Sequence, residues 1–369
     1  MKKIIKVLNI IFFLYLFLLS IELLGSGFKF LGEDFAKNLF TITAHPGIGI
    51  FIGLLATAIV QSSSFTTSMI VALVSSGTIG VKNAVFLVMG ANIGTTVTNT
   101  LVSLSYVTRK EEFGKAFAAS VVHDFFNIIM VILFAPLELA TGFLSKTAGL
   151  VANFIIGSKT IEFHSPLKLI VKPVNSLIIK ILNLFLNQSW IIGAIITLIS
   201  VILLFIALLK LVTLMKSILI NRIEISFNNV IEKAPVIGII LGFVITAIIQ
   251  SSSVTTSMLV PIVAAGVISI DTAFAITLGA NIGTTVTALL ASLVGNKFGL
   301  TIALVHFFFN FLGVLIISPF RPVRRIPITM AEKLGEIVKR NRKIALLYVG
   351  GVFFVIPGIV ILISKLIFK

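Results

Sequence analysis

The chain has 369 residues, of which 58% are hydrophobic and only 11% charged, and its mean hydropathy is +1.17. These values exclude an ordinary soluble domain and indicate an integral membrane protein. The net charge of +16 does not indicate a nucleic-acid partner, because the basic residues lie mostly in short connections between apolar runs. The absence of Cys excludes disulfides and thiol chemistry, and the four His lack the spacing of a transition-metal site.

The first predicted element is an apolar run at residues 7–24, which follows Lys2, Lys3 and Lys6. The run is longer than the core of a signal peptide and lacks a small-residue cleavage site. It therefore predicts a retained transmembrane helix within residues 1–45, followed by a mixed-charge outer connection.

The next predicted unit, residues 46–136, recurs at residues 235–319. Residues 61–69 read QSSSFTTSM and residues 250–258 read QSSSVTTSM, and each is followed by GANIGTTVT, at residues 90–98 and 279–287. Both pairs of strings are 189 positions apart, and residues 46–98 share 30 of 53 residues with their counterparts. The shared runs are rich in Gln, Ser, Thr, Asn and Gly, which an ordinary apolar helix does not require. The sequence therefore predicts an internal duplication built around a polar cluster.

The segments outside the repeats complete the predicted topology. Residues 137–234 predict a loop, a surface helix near 173–186 and a linking transmembrane helix at 190–209, and residues 320–369 predict a basic cytoplasmic connection and a C-terminal hydrophobic segment. Placing the basic connections in the cytoplasm puts the N-terminus, the turn at 109–115, and residues 210–233 and 321–343 inside. Residues 25–45 and 137–189 are then outside. The C-terminus stays unassigned, because the break at Pro357 is compatible with either a crossing or a hairpin.

This orientation makes the two repeats opposite in the membrane. The first repeat starts and ends outside, and the second starts and ends inside. Each repeat has three apolar segments but an even number of crossings, so one segment in each must be re-entrant or broken. Charge does not distinguish the QSSS segment from the GANIGTTVT segment. The sequence thus predicts an all-α integral membrane protein, an inverted-topology repeat transporter with re-entrant or broken helices.

The polar cluster suggests which ligands the protein binds. Lipid cannot satisfy its hydroxyl and amide groups, so they must face protein, water or a ligand. The only charges near the strings are Lys82 and Asp271, both expected near a surface. Neutral oxygens suit a hard monovalent cation, and hydroxyls with helix N-termini suit a small oxyanion. An anion in such a site needs co-bound cations, which predicts obligatory ion coupling.

Helix packing is the alternative explanation for these polar residues. Single Ser and Thr residues commonly join membrane helices, but packing does not require Gln followed by three Ser twice. His123/Asn127 and His306/Asn310 lie one helical turn apart in matching helices, which fits either an interhelical hydrogen bond or a proton-sensitive group. Asp124 is a further candidate functional acid within the membrane.

The paired QSSS strings, each followed by GANIGTT, resemble the type II sodium–phosphate cotransporters and their bacterial relatives over about half of the chain. The resemblance implies sodium-coupled symport of inorganic phosphate into the cell, by alternating access across a cell inner membrane, with no cofactor other than Na+. The implied phosphate-binding residues are Gln61, Ser62, Ser63, Ser64, Gln250, Ser251, Ser252 and Ser253. The implied sodium-binding residues are Thr66, Thr67, Asn92, Thr95, Thr96, Thr255, Thr256, Asn281, Thr284 and Thr285.

Other functions remain alternatives at this point. A carrier of another small oxyanion or a proton-coupled phosphate carrier would use the same cluster. A passive channel is less compatible with inverted repeats around a central site. An intramembrane serine hydrolase would need a single Ser–His pair, whereas both residue types are duplicated here. The partners are expected to be phosphate, sodium and the lipid bilayer, and the oligomeric state is left open, a homodimer being one option.

Overall fold

The computed structural model describes residues 2–32, 45–156, 166–219 and 235–367, and within them the secondary structure is entirely helical. The predicted all-α membrane fold is confirmed. The predicted outer connection lies mostly outside the described residues, and so does the basic connection 210–233 beyond its first ten residues. The helices, in chain order, are α1 Lys2–Leu31, α2 Pro46–Val60, α3 Ser63–Ser75, α4 Val81–Gly94, α5 Val97–Leu104, α6 Lys110–Thr141, α7 Phe143–Ile156, α8 Pro166–Phe185, α9 Ser189–Leu219, α10 Pro235–Ile249, α11 Ser252–Ala264, α12 Ile270–Ser292, α13 Lys297–Ile317, α14 Arg321–Arg340, α15 Lys343–Gly350 and α16 Ile356–Ile367.

Seven segments of the described chain are long and apolar enough to cross a bilayer. They are α1, the pair α4–α5, α6, α9, α12, α13 and the run from α15 through α16. The helices that flank the QSSS strings, α2, α3, α10 and α11, have only 13 to 15 residues each. A crossing needs about 20 residues, so none of these four helices spans the hydrocarbon layer alone.

The first QSSS segment is a re-entrant hairpin. Glycines let α2 and α4 pack backbone to backbone, since a Cβ on Gly53 would overlap the Leu87 carbonyl and one on Gly90 the Ile50 carbonyl. A Cβ on Gly49 would meet Phe86 and one on Gly94 the Leu54 carbonyl, so the contacts advance together along both helices and α2 and α4 run in the same direction. The hairpin therefore reaches its tip at Gln61 beside the middle of the α4–α5 span. Helix α3 then returns to the starting end, where Asn296 Nδ2 donates to the Ser75 carbonyl at 2.8 Å.

The second QSSS segment forms the same hairpin from the opposite end. A Cβ on Gly242 would overlap the Ile276 carbonyl and one on Gly283 would meet Thr246, so the contacts advance along both helices and α10 runs parallel to α12. The chain leaves α11 near Lys115 of α6, and Asp271 at the start of α12 pairs with Arg325 at 2.9 Å. Helix α12 is about 34 Å long at 1.5 Å per residue, which separates this end from Asn296. We call the end that holds Lys115 and Arg325 the basic end.

The C-terminal segment crosses the bundle without a hairpin. A π-helical turn, Gly351–Val355, joins α15 to α16, and α16 packs against α2. Pro357 is the second residue of α16, and a locally widened turn is a common way for a helix to accommodate Pro. The run from α15 through α16 therefore starts at the basic end and finishes towards the opposite end.

Candidate functional site

The two hairpin tips share an unusual backbone conformation. Gln61 and Gln250 have φ angles of 56° and 63°, and within the described chain they are the only non-glycine residues with positive φ. A left-handed residue ends the first helix of each hairpin, at a cost of the order of 1 kcal/mol for a residue other than glycine. The next residue, Ser62 or Ser251, is extended and accepts a hydrogen bond from the amide of Phe65 or Val254 at 3.2 or 3.3 Å. The Gln-Ser pair thus stops one helix and caps the next.

The tips meet each other near the middle of the bundle. Ser64 Oγ donates to the Gln250 carbonyl at 3.1 Å and lies 3.3 Å from Thr284 Oγ1. In the reverse direction, Ser253 Oγ lies 3.5 Å from Thr95 Oγ1 and donates to its carbonyl at 3.4 Å. Each hairpin therefore contacts the GANIGTTVT string of the other repeat.

The tips are also accessible and uncharged. The side chain of Gln61 is exposed, and Ser62, Gln250, Ser251 and Ser253 are partly exposed. Lys82 is exposed and the side chain of Asp271 is 41% exposed, so both lie near a surface as expected from the sequence, and Asp271 also pairs with Arg325. The described residues hold a separate cavity of about 550 Å³ at the basic end, lined in part by Lys115 and Glu332 and away from the tips.

The remaining predicted phosphate residues lie beside these contacts. Ser63 Oγ is 2.9 Å from Thr95 Oγ1, which places it against the GANIGTTVT string of its own repeat. Ser252, its counterpart, is buried, and its hydroxyl has no hydrogen-bond partner among the described residues. Thus Ser63, Ser64, Gln250 and Ser253 take part in the hydrogen bonds around the two tips, whereas Gln61, Ser62 and Ser251 lie at the tips outside this set of bonds.

The predicted sodium residues divide into three groups. Thr95 and Thr284 lie at the tips. The hydroxyls of the other six Thr donate to carbonyls one turn back in their own helices, while their oxygens keep free lone pairs. These six are Thr66, Thr67, Thr96, Thr255, Thr256 and Thr285. Asn92 and Asn281 form the third group and take part in a separate network.

This network ties the two repeats together through amides. Asn281 Oδ1 lies 2.6 Å from His123 Nε2, and Asn281 Nδ2 donates to Asn127 Oδ1 at 3.0 Å. Asn310 Nδ2 donates to Asn92 Oδ1 at 3.0 Å, and Asn127 Nδ2 donates to the Asn92 carbonyl at 2.7 Å. His123 thus makes an interhelical hydrogen bond, as the packing interpretation predicts.

Neither His is placed to activate a Ser. His123 Nε2 is bonded to Asn281, and both ring nitrogens of buried His306 lack a partner within the described part of the chain. The serine-hydrolase alternative therefore finds no Ser–His pair at His123 or His306, the two residues it would use.

Several polar residues at the site were not predicted. Thr287 Oγ1 donates to Gln250 Oε1 at 2.9 Å and lies 3.3 Å from Ser64 Oγ, and Thr256 Oγ1 shares its hydrogen between the Ser252 carbonyl and Asn99 Oδ1, 3.0 Å away. Thr287 is the last residue of the repeated GANIGTTVT string, so the repetition could have identified it as a site residue. Asn99 aligns with Ala288, so the repeat offered none. Asp124, the candidate acid, accepts a hydrogen bond from Tyr348 of α15 at 2.9 Å.

Comparison with known proteins gives one family over most of the chain. The family described as Na+/Pi-cotransporter matches residues 16–158 and 203–331. The chain is 34% identical over 434 residues to sodium-dependent phosphate transport protein 2A of Rattus norvegicus, covering 98% of this chain and 68% of that protein. It is 33% identical over 436 residues to sodium-dependent phosphate transport protein 2B of Homo sapiens, covering 94% and 63%. No solved structure matches the chain.

Proposed function

The chain belongs to the Na+/Pi-cotransporter family, and we propose that its two hairpin tips bind phosphate and sodium together. It is a multi-pass membrane transporter rather than an enzyme, and its function is sodium-coupled symport of phosphate. Sodium is accordingly the coupling ion.

The contact between the tips is the observation that carries the site proposal. Ser64 contacts Gln250 and Thr284 of the other repeat, and Ser253 contacts Thr95, so both repeats supply polar groups to one location. Helices α3 and α11 begin there, and the first N–H groups of a helix have no intrahelical acceptor. Hydroxyls beside two helix N-termini suit a phosphate oxyanion. We assign phosphate to Gln61, Ser62, Ser63, Ser64, Gln250, Ser251, Ser252 and Ser253.

Charge balance explains why sodium is required. The assigned phosphate ligands are neutral. The negative charge of a phosphate among them is therefore uncompensated at low dielectric unless cations bind beside it. Hydroxyl and carbonyl oxygens are suitable ligands for a hard cation. Thr95 and Thr284, at the tips, are the proposed ligands nearest the phosphate. Asn92 and Asn281 remain predicted sodium ligands, although their amides would have to leave the inter-repeat network to bind an ion.

Alternating access is the transport mechanism we propose. The two hairpins enter from opposite ends and meet at mid-depth, so movement of one or the other would open the tips to one side at a time. The basic end faces the cytoplasm in this proposal, because basic connections favour that side. The N-terminus is then cytoplasmic, the first hairpin enters from outside, and uptake proceeds into the cell across the plasma membrane.

Titration and uptake measurements test the site together. Isothermal titration of phosphate into the purified chain should give binding heat in sodium buffer and none in choline buffer. Radiolabelled phosphate uptake into proteoliposomes should require an inward sodium gradient. A Ser64→Ala/Ser253→Ala variant should lose both signals while keeping its thermal unfolding transition. Undiminished phosphate binding by that variant would show that the tips are not the site.

A further inference from the structure

Helix α14 is the described chain's most conspicuous element that the transport site does not use. It has 20 residues and joins α13 to α15, both of which meet it at the basic end. Arg325 pairs with Asp271 in the first turn of α12 at 2.9 Å, and Lys339 pairs with Glu111 in the first turn of α6 at 2.6 Å. Because both of its ends are tied to the starts of spanning helices, α14 lies across the end of the bundle.

One side of α14 is fully occupied by protein. Ile328, Ala331 and Val338 are completely buried. Gly335 packs so closely on α6 that a Cβ there would come 2.5 Å from the Gly114 carbonyl. This side is an ordinary helix–helix contact.

The opposite side of α14 is apolar as well, and the described chain leaves about half of its side-chain surface exposed. Ile326, Met330 and Ile337 are 50%, 40% and 48% exposed, and their spacing of four and seven residues places them on one stripe. The stripe lies about half a turn from the buried face. Because α14 lies at the level where α6 and α12 begin, it is at the depth of the lipid headgroups, where an amphipathic helix can contact the surrounding lipid.

Two basic residues border this stripe and differ from the other bases of the helix. Lys333 and Arg340 follow Ile326 by seven and 14 residues, are exposed, and form no ion pair with any described residue. Arg325 and Lys339, in contrast, are paired with carboxylates of α12 and α6, the helices on which α14 packs. Residues 321–343 hold eight basic side chains and two acidic ones, so the surface has an uncompensated positive charge.

We propose that α14 is a binding surface for anionic lipid headgroups. Lys333 and Arg340 pair with the headgroup phosphate, and Ile326, Met330 and Ile337 contact the start of the acyl chains. Charge complementarity selects an anionic lipid, since an apolar stripe alone would accept any lipid. Because α14 is tied to α6 of the first repeat and α12 of the second, a lipid bound there contacts a helix that connects both repeats.

Lipid titration tests this proposal independently of transport. The purified full chain, in neutral detergent, is titrated with short-chain phosphatidylglycerol and with short-chain phosphatidylcholine, and bound lipid is counted by native mass spectrometry. We expect selective binding of phosphatidylglycerol. A Lys333→Ala/Arg340→Ala variant should bind it about thirtyfold more weakly, since each basic side chain near an anionic surface contributes about a factor of five.

The control removes the same charge elsewhere. Lys82 and Lys297 are exposed at the opposite end of the bundle, so Lys82→Ala/Lys297→Ala should leave phosphatidylglycerol binding unchanged. Inorganic phosphate in excess should not displace the lipid. Equal binding of the two lipids by the native chain, equal losses in both double variants, or displacement by inorganic phosphate would each overturn the proposal.

Discussion

The two hairpins have almost the same sequence but make different hydrogen bonds. Ser63 is bonded to Thr95, whereas the hydroxyl of Ser252 has no partner among the described residues. Thr287 donates to Gln250, whereas the hydroxyl of Thr98 has no described partner and Gln61 is exposed. The span of the first repeat is interrupted after Gly94, and the span of the second is the continuous helix α12.

The comparison shows that almost the same sequence adopts two hydrogen-bonding arrangements in one molecule. Inversion alone would give equivalent residues equivalent neighbours, so these differences mark a departure of the two halves from exact two-fold symmetry. Alternation between outward and inward access, as proposed, would exchange the two arrangements, so that the second hairpin takes the bonds that the first has here. The following predictions change one or both copies and compare the results.

The largest loss of stability is expected at a contact that both repeats share, the close backbone packing at Gly90 and Gly279. Gly279→Ala should displace α10 from α12, because the added methyl overlaps the Ile239 carbonyl, a backbone atom that cannot rotate away. Overpacking of this kind costs about 3 kcal/mol or more, and uptake should be lost with it. Thermal unfolding in detergent measures the loss. Gly149→Ala in α7 is the matched control, because a methyl there meets no other atom, and it should be neutral or stabilising.

A smaller effect, confined to transport, is expected at the tip. Ser64→Ala removes a hydroxyl that contacts Gln250, Thr284 and, in our proposal, phosphate. Sodium-dependent uptake should fall about tenfold to a hundredfold, the loss expected for one hydrogen bond to a charged ligand. Ser68→Ala, in the same helix, removes a buried hydroxyl without a described partner and should leave uptake unchanged. Equal uptake by the two variants would contradict the assignment of Ser64.

The His residues separate the two copies further. His123→Leu leaves the buried Asn281 carbonyl without its 2.6 Å partner, which should cost about 1 to 3 kcal/mol of unfolding free energy. His306→Leu removes a ring that has no described hydrogen bond and should leave stability unchanged or raise it. Thermal unfolding of the two variants checks the difference. Equal destabilisation by both substitutions would show that the asymmetry is not a property of the resting protein.

The parts of this structure that the sequence could predict are those where repetition and polarity coincide. The composition predicts membrane insertion, and the paired strings predict the duplication. They also predict that the polar groups meet inside the protein, because lipid cannot satisfy their hydrogen bonds. The sequence did not identify which segment is re-entrant. The distribution of basic residues fixes the number of crossings in each repeat but not which segment fails to cross. The identity of the re-entrant segment depends on the direction in which α2 packs on α4. Gly53 and Gly90 allow this close packing, but their presence in the sequence does not indicate which helices they bring together.

Residues without a copy were harder to predict. Asn99 contacts Thr256 but aligns with Ala288, and Tyr348 reaches Asp124 from a helix outside both repeats. A comparison of repeats gives weight only to residues that occur twice, so it overlooks residues that one half recruits alone. Such contacts depend on how distant helices pack, which no local pattern in this chain reports.

The smallest expected effect is also the most direct measure of the difference between the copies. Thr287→Val removes the hydroxyl bonded to Gln250 and should lower the unfolding free energy by about 1 kcal/mol. Thr98→Val, the same change in the other repeat, removes a hydroxyl without a described partner and should have almost no effect on stability. Uptake should fall by similar factors in both variants, because the proposed alternation gives each Thr the bonded arrangement once per cycle. The contrary outcome is that the two variants differ in stability and that Thr98→Val transports normally. It would mean that the halves do not exchange arrangements and that the asymmetry is fixed.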